Sequence, residues 1–439
     1  MRTPRELLTV HALSEEVLTC EGSGIGTFDV RMTSENLRRL EQTGIEHRVL
    51  IADIQAHLDQ IWADDARIRR GEGAGGVDDL SWFSTYRSLA EIEARMVALA
   101  TAYPNLATYS TIGSSIEGRS IRMLRITGPG PTTGRPAFFI NATQHAREWV
   151  TPMSAMYIAD RFLETYGTDT RVQHIVNNVD FYIVPVVNPD GYEFSRTSNA
   201  NWRKNRRVNS GSSCRGVDLN RNWGFQWGFD NTGSSGNPCS DIYRGSAGFS
   251  EPELQAIRAV VDQLRTENRL KVHWDIHANA QMLLSPWGYT TSNPPDLALM
   301  NTLGLLMQQG MQTVRGLTYP YGPGSQILYL NNGNARDYSY GVHGAMSWTI
   351  ELTGVGFQPP VSEILPNARE AMAALLPLAE FYIPAPACYA NCDGSTGSPV
   401  LSPSDFVCFL NKYRAGDAYA NCDGSTGSPA LSPSVYSDE

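Results

Sequence analysis

Strand-like and helix-like runs alternate through residues 84–383, and this alternation constrains the fold more than any other feature of the 439-residue chain. Apolar, β-branched and aromatic runs occur at Ile121–Thr127, Ala137–Asn141, Asp180–Val187, Leu270–Ile276 and Met346–Leu352. Helical spacing of apolar residues occurs around 88–102, 152–165, 250–265, 294–314 and 366–380. Strands separated by helices do not pair through tight hairpins. The expected fold is therefore α/β, with a mixed central β-sheet flanked by helices. A span of about 300 residues is long enough for one large core.

Smaller segments flank this body. Residues 27–70 read as a small α/β unit. Phe28–Met32 alternates like a strand, and Thr33 and Ser34 can cap a helix that carries Leu37 and Leu40 and stops at Gly44. Arg48–Ile51 reads as a second short strand, and Ile54, Leu58 and Ile61 follow at helical spacing. A basic cluster (Arg67, Arg69, Arg70) and GEGAGG at 71–76 end the unit as a protease-accessible linker. That linker is either an ordinary hinge or an activation site. At the other end, YANCDGSTGSPVLSPS (389–404) returns at 419–434 with one change, Val400 to Ala430. The expected divisions are 1–76, 77–385 and 386–439.

Charge and hydropathy exclude two classes. Lys+Arg 35 against Asp+Glu 45 gives a net charge of −10, which argues against a general nucleic-acid binder. No apolar run reaches the ~18 residues of a membrane span. Cys20 lies near the start, while Cys388, Cys392, Cys408 and Cys422 crowd a Gly/Ser/Pro-rich tail, which favours an oxidising compartment. Met1–Thr19 has no apolar core for a secretory signal. Export from a start upstream of Met1 is the favoured expectation, with a cytosolic protein as the alternative. A monomer is the default.

Chemistry-bearing residues cluster within the main body. Gln144-His145-Ala146-Arg147-Glu148 follows the apolar run AFFIN. A His and a Glu three apart can grip one zinc ion, although the pattern alone is common. His277 ends the run KVHWDI, where His273, Asp275 and His277 share one strand face. A catalytic zinc takes three protein ligands and leaves one position open for water. His145, Glu148 and His277 would supply that set. Glu351 sits in MSWTIEL, near the end of an apolar run, and an acid there is costly unless it is paired or functional. Arg203 in NWRK and Arg221 in GVDLNRNW could form a positive pocket.

Together these segments resemble the zinc metallocarboxypeptidases of the carboxypeptidase A/B type. The matches run in order: IGSSIEGRSI (112–121), HAREW (145–149), NPDGYEFSR (188–196), NWRK (201–204), GVDLNRNW (216–223), YRG…FSEPE (243–253), DIHANAQMLLSPWGY (275–289), and Tyr329 to Glu351. The resemblance implies zinc held by His145, Glu148 and His277, with Asp218 orienting a ligand imidazole. It implies Glu351 as general base and Arg203 as oxyanion stabiliser. Asn220, Arg221 and Tyr329 would hold the substrate's terminal carboxylate, and Arg147 would bind the peptide further away. It also implies a disulfide between Cys214 and Cys239, and peptide or protein C-termini as substrates. Ala278-Asn279 departs from the Ser-Tyr of digestive relatives. The N-terminal unit resembles the family's pro-segment, but it is short and weakly matched.

Arg336 falls where the family's specificity pocket is floored. A guanidinium there should attract a carboxylate and repel a cation, so a preference for C-terminal Glu or Asp is expected. Gly288 and Thr349 would leave room for a side chain. Alternatively, Arg336 pairs with Asp337 or another buried acid and never faces substrate, and specificity is then broad or apolar. Two other readings stand beside this one: a peptidase of acidic cell-wall peptides, and a catalytically silent peptide-binding protein. Retention of every expected ligand, base and arginine weighs against the second. In the tail, Asn391, Asp393, Ser395 and Asp405 resemble the calcium loops of dockerin-type modules, so Ca2+ binding and scaffold attachment are expectations there. A disulfide-stabilised spacer is the plainer reading.

Overall fold

A computed structural model describes residues 3–14, 16–17, 30–69, 80–354 and 356–383. The 71–76 linker, Cys20 and the repeat tail lie outside the described residues.

Near the N-terminus, α1 (Pro4–Leu13) precedes an antiparallel ladder of β1 (Glu16–Val17) and β2 (Val30–Arg31), followed by α2 (Ser34–Glu41) and α3 (Ile54–Arg69). Thr33 caps α2 as expected, its side chain accepting from the Asn36 N–H. Arg48–Ile51 is not a strand. β2 pairs with Glu16–Val17 instead, and Val49 and Leu50 remain 48% and 39% exposed. A run of apolar residues without a neighbour to take its N–H and C=O groups gains nothing from extending. α3 reaches the main body, where the His57 Nε2 lies 2.9 Å from the Gln358 carbonyl oxygen.

The main body opens with α4 (Leu89–Ala102), started by a reciprocal cap between Ser88 and Glu91. An eight-stranded mixed sheet follows. Its strands are β3 (Ala107–Ser114), β4 (Ser120–Ile126), β5 (Ala137–Ala142), β6 (Asp180–Val184), β7 (Leu270–Ala278), β8 (Met282–Ser285), β9 (Tyr321–Pro323) and β10 (Met346–Leu352). Their spatial order is β3-β4-β6-β5-β7-β10-β8-β9. β6, β5, β7 and β10 are mutually parallel, while β3, β4 and β8 run antiparallel to neighbours. The expected mixed sheet is therefore present.

Eight further helices complete the described main body: α5 (Val150–Glu164), α6 (Thr170–Asn178), α7 (Pro189–Thr197), α8 (Pro252–Thr266), α9 (Leu297–Arg315), α10 (Gly324–Ile327), α11 (Ala335–His343) and α12 (Ile364–Phe381). Neighbouring residues of β5 show how they sandwich the sheet. Phe138 meets Phe181 and Tyr382 edge-on, and Phe162 of α5 packs on Phe181. Phe139 instead joins the core formed with Leu254, Ile257 and Val261 of α8 and Tyr338 of α11. Both faces of β5 are buried, which is why its sequence is apolar without alternation. Truncating Phe139 to Ala would cost about 3–5 kcal/mol. The parallel strands also share a carboxyl-terminal edge, where open α/β sheets place their ligand crevices. No described helix is long and apolar enough to cross a membrane.

Candidate active site

β5 ends at Ala142, and Thr143 turns the chain with a φ of 62°. This sharp exit puts His145 and Glu148 over the sheet edge, just before α5. β7 delivers His277 from the neighbouring strand. Glu148 Oε1 lies 2.8 Å from His145 Nδ1, and its Oε2 lies 3.0 Å from His277 Nδ1. The two Nδ1 atoms are 2.9 Å apart. Among the described residues these three buried side chains form the group able to hold a metal ion. Tetrahedral zinc with bonds of ~2.0–2.1 Å spaces its ligand atoms by about 3.3 Å, so a slight opening admits it. Two imidazole nitrogens and a carboxylate oxygen aimed at one point suit zinc chemically.

The charges around the cluster are strongly coupled. Burial would raise the pKa of Glu148, but the two imidazoles outweigh it and hold the carboxyl below its usual range. Burial and the nearby Arg203 guanidinium lower His145. Burial opposes charge on His277 too, yet Asp275 and Glu148 drive its pKa well up.

Asp218 accepts from both Arg203 Nη2 and Nε at 2.8 and 3.1 Å, and lies 3.1 Å from His145 Nε2. Burial raises its pKa, but Arg203 and His145 keep it well below the ordinary value. The Asp218 side chain also caps the short helical turn Leu219–Arg221, which orients Asn220 and Arg221. Asn220 Oδ1 accepts from the Ala335 N–H at 3.0 Å, tying that turn to α11. The Cys214–Cys239 disulfide is present and brackets this segment.

Glu351 stands at the end of β10. Burial, with the Glu148 charge adding, pushes its carboxyl up to about 7, against the Ala280 N–H and the His277 imidazole. An open pocket is lined by His145, Glu148, Arg203, Asn220, Arg221, Tyr329, Arg336 and Glu351. Arg147 is outside that lining. Its guanidinium lies 4.0 Å from the ring centroid of Phe357, which does line the pocket. His273 does not join the metal cluster, being occupied by Ser339 and Asn141.

Arg336 is 2% exposed. Its Nη1 donates to Thr349 Oγ1 at 3.1 Å and its Nη2 to Asn331 Oδ1 at 3.0 Å. Asp337 does not pair with it by hydrogen bond, since the nearest approach is 4.0 Å. The Asp337 oxygens instead accept from the Gly288 and Tyr289 N–H groups and from Asn334. The expected room at Gly288 is taken by Arg336 itself. A Cβ on Gly288 would lie 2.6 Å from Nη2, and one on Gly324 would also collide with the guanidinium. Asn331 and Phe357 were not distinguished by sequence reasoning, because neither carries a charge or a motif.

The chain matches the zinc carboxypeptidase family over residues 92–374. It is 34% identical to carboxypeptidase A1 of Bos taurus over 391 residues, covering 87% of this chain and 90% of that one. Carboxypeptidase B of Bos taurus is also 34% identical, covering 80% and 82% of the two chains. Among solved structures, carboxypeptidase A of Helicoverpa armigera aligns over 87% of this chain and 95% of its own, with a TM-score of 0.75 and 28% identity. Similarity that runs through nine tenths of a relative's length, 90% for the first of these, reaches far beyond a shared motif. This chain belongs to the zinc carboxypeptidase family and is a metallocarboxypeptidase, a zinc-dependent hydrolase.

Proposed function

We propose that this enzyme releases single C-terminal residues from peptides and proteins, with preference for Glu and Asp. One observation carries the preference. The buried Arg336 guanidinium lines the substrate pocket, yet its hydrogen-bond partners are the neutral Thr349 and Asn331. A buried cation without a hydrogen-bonded carboxylate favours a ligand that brings one. A Lys or Arg side chain would meet like charge there.

In this reading His145, Glu148 and His277 hold the zinc, which when bound supplies an activated water and polarises the scissile carbonyl. Arg221, Asn220 and Tyr329 take the terminal carboxylate and set the register of the chain end. Glu351 accepts a proton from the attacking water and delivers it to the leaving amine. Arg203 donates to the developing oxyanion. Arg147 binds peptide beyond the scissile bond. Asp218 keeps the His145 Nε2 proton occupied, so that Nδ1 is free to act as the ligand.

The flanking segments complete the proposal. Residues 1–76 act as a pro-segment, 77–385 as the catalytic domain and 386–439 as an attachment module of an exported monomer. The attachment role and its calcium loop rest on the sequence repeat alone.

The test is brief trypsin treatment, then incubation with matched peptides ending in Glu, Leu and Lys, read by mass spectrometry with and without a zinc chelator. Chelator-sensitive loss of one Glu, faster than Leu or Lys, is expected. Faster loss of Lys would end the acidic assignment while leaving the reaction intact.

A further inference from the structure

Asp275 is two residues before His277 on β7, so their side chains share one face of the strand. It is buried, and its Oδ2 lies 2.7 Å from His277 Nε2. The same oxygen accepts from Gln144 Nε2 at 2.6 Å, and Oδ1 accepts from Asn141 Nδ2 at 2.7 Å.

The donor directions are fixed by the neighbours. The Gln144 Oε1 accepts from the Trp223 indole N–H at 3.0 Å, so its amide nitrogen must face Asp275. The Asn141 Oδ1 faces His273 Nε2, so its amide nitrogen also faces Asp275. An ionised carboxylate only accepts, which puts the His277 proton on Nε2. The nitrogen that turns toward Glu148 and His145 is then Nδ1, which gives up the proton it shares with Glu148 when a metal takes its place. Asn220 Nδ2 also lies 3.2 Å from His277 Nε2; two donors make no hydrogen bond, and the carboxylate oxygen of Asp275, nearer at 2.7 Å, takes the Nε2 proton.

We propose that Asp275 is the positioning residue for His277, fixing its tautomer and ring orientation for zinc as Asp218 does behind His145. It also joins the two ligand-bearing segments, because Gln144 immediately precedes His145. The proposal rests on reading His145, Glu148 and His277 as the zinc ligands. Carboxylates behind ligand imidazoles are worth about 10–100-fold in metal affinity.

The experiment measures zinc affinity of the full chain by competition with a chromophoric chelator, for the unaltered protein and for Asp275→Asn. The expected result is a 10–100-fold weaker Kd for the variant. A Kd within twofold of the unaltered protein overturns the proposal. So does a variant whose metal-free form merely melts earlier while its zinc affinity holds, since that is the signature of a structural carboxylate. Should Asp275→Asn not fold, nitrogen NMR of the zinc-loaded, unaltered protein decides. A slowly exchanging His277 Nε2–H, with Nδ1 on the metal, supports the assignment, and the opposite tautomer overturns it. One zinc per chain in the unaltered protein, lost in His277→Ala, separates the two readings. Zinc retained in that variant removes the ligand assignment along with the role of Asp275.

Discussion

Glu351 lies directly opposite His277 in the parallel register of β7 and β10. The backbone ladder itself therefore holds the proposed base one strand away from a metal-cluster imidazole, a spacing of about 4.8 Å. Glu351→Gln preserves this register and the side-chain volume but cannot take up a proton. We expect kcat to fall about 10²–10⁴-fold, with zinc affinity close to that of the unaltered enzyme. Stopped-time peptide assays beside chelator competition measure the two quantities separately. Equal losses in both would show that the carboxylate acts through the metal cluster instead.

The pH profile follows from the same carboxyl. Burial pushes Glu351 up to about 7 in the metal-free cluster. A base works only when deprotonated, so kcat/KM falls as pH drops through its pKa. A divalent cation nearby favours the charged form, which moves the acid limb to or below about pH 7. An acid limb above pH 8 in the zinc enzyme would contradict the assignment.

Sequence reasoning found the parts of this site that carry their own signature. β5, β6, β7 and β10 are buried on both faces, so they read as apolar runs. β3 was missed because ATYSTIGS is polar and partly exposed, and β8 and β9 are too short to show a period. α7 begins Pro-Asp-Gly and α11 contains Gly341, so tertiary burial rather than propensity stabilises both. The metal cluster was legible because its motifs are local. Of the partners of Arg336, Thr349 on β10 was expected beside the pocket only as room for a side chain, and Asn331, in a loop without charge or motif, was not legible.

Asn331 offers a specificity switch that leaves Arg336 in place. Asn331→Asp puts a carboxylate where Oδ1 now accepts from Nη2 at 3.0 Å. The pocket cation is then neutralised from within, and a substrate carboxylate loses its charge-assisted bond of ~1.5–3 kcal/mol. Cleavage of a Glu-terminated peptide should drop about 10–100-fold in kcat/KM, while a Leu-terminated peptide changes about threefold or less. Parallel kinetics on the two peptides measure the ratio. An unchanged ratio would mean that Arg336 does not read the substrate side chain.

The Cys214–Cys239 bridge closes a segment with a sequence separation of 25 around Asn220 and Arg221. Loop-closure entropy gives such a bridge about 3 kcal/mol. The double variant Cys214→Ser, Cys239→Ser should melt earlier and show a raised KM, because the residues proposed to hold the terminal carboxylate sit on the freed segment. Calorimetry and peptide kinetics read the two effects. A lower melting temperature with unchanged KM would confine the bridge to stability.

Glu253 gives the stability of the main body a pH dependence independent of the metal. It is buried at the start of α8, and burial pushes its carboxyl up to about 7 from an ordinary 4.5. The Ile116 N–H at 3.0 Å and the Asn205 amide at 3.3 Å favour the charged form, but do not offset that burial. Between these two values the native state holds a proton that the unfolded chain has released. Stability from this group is therefore full below about pH 4.5 and declines as pH rises toward about 7, by roughly 3 kcal/mol. Glu253→Gln keeps an acceptor for the Ile116 N–H and cannot ionise. Relative to the unaltered protein, the variant should gain stability steadily across that window and no further above it. Urea unfolding of both proteins at several pH values measures the difference. A gap that stays constant from pH 4.5 to 7.5 would assign the pH dependence to other groups.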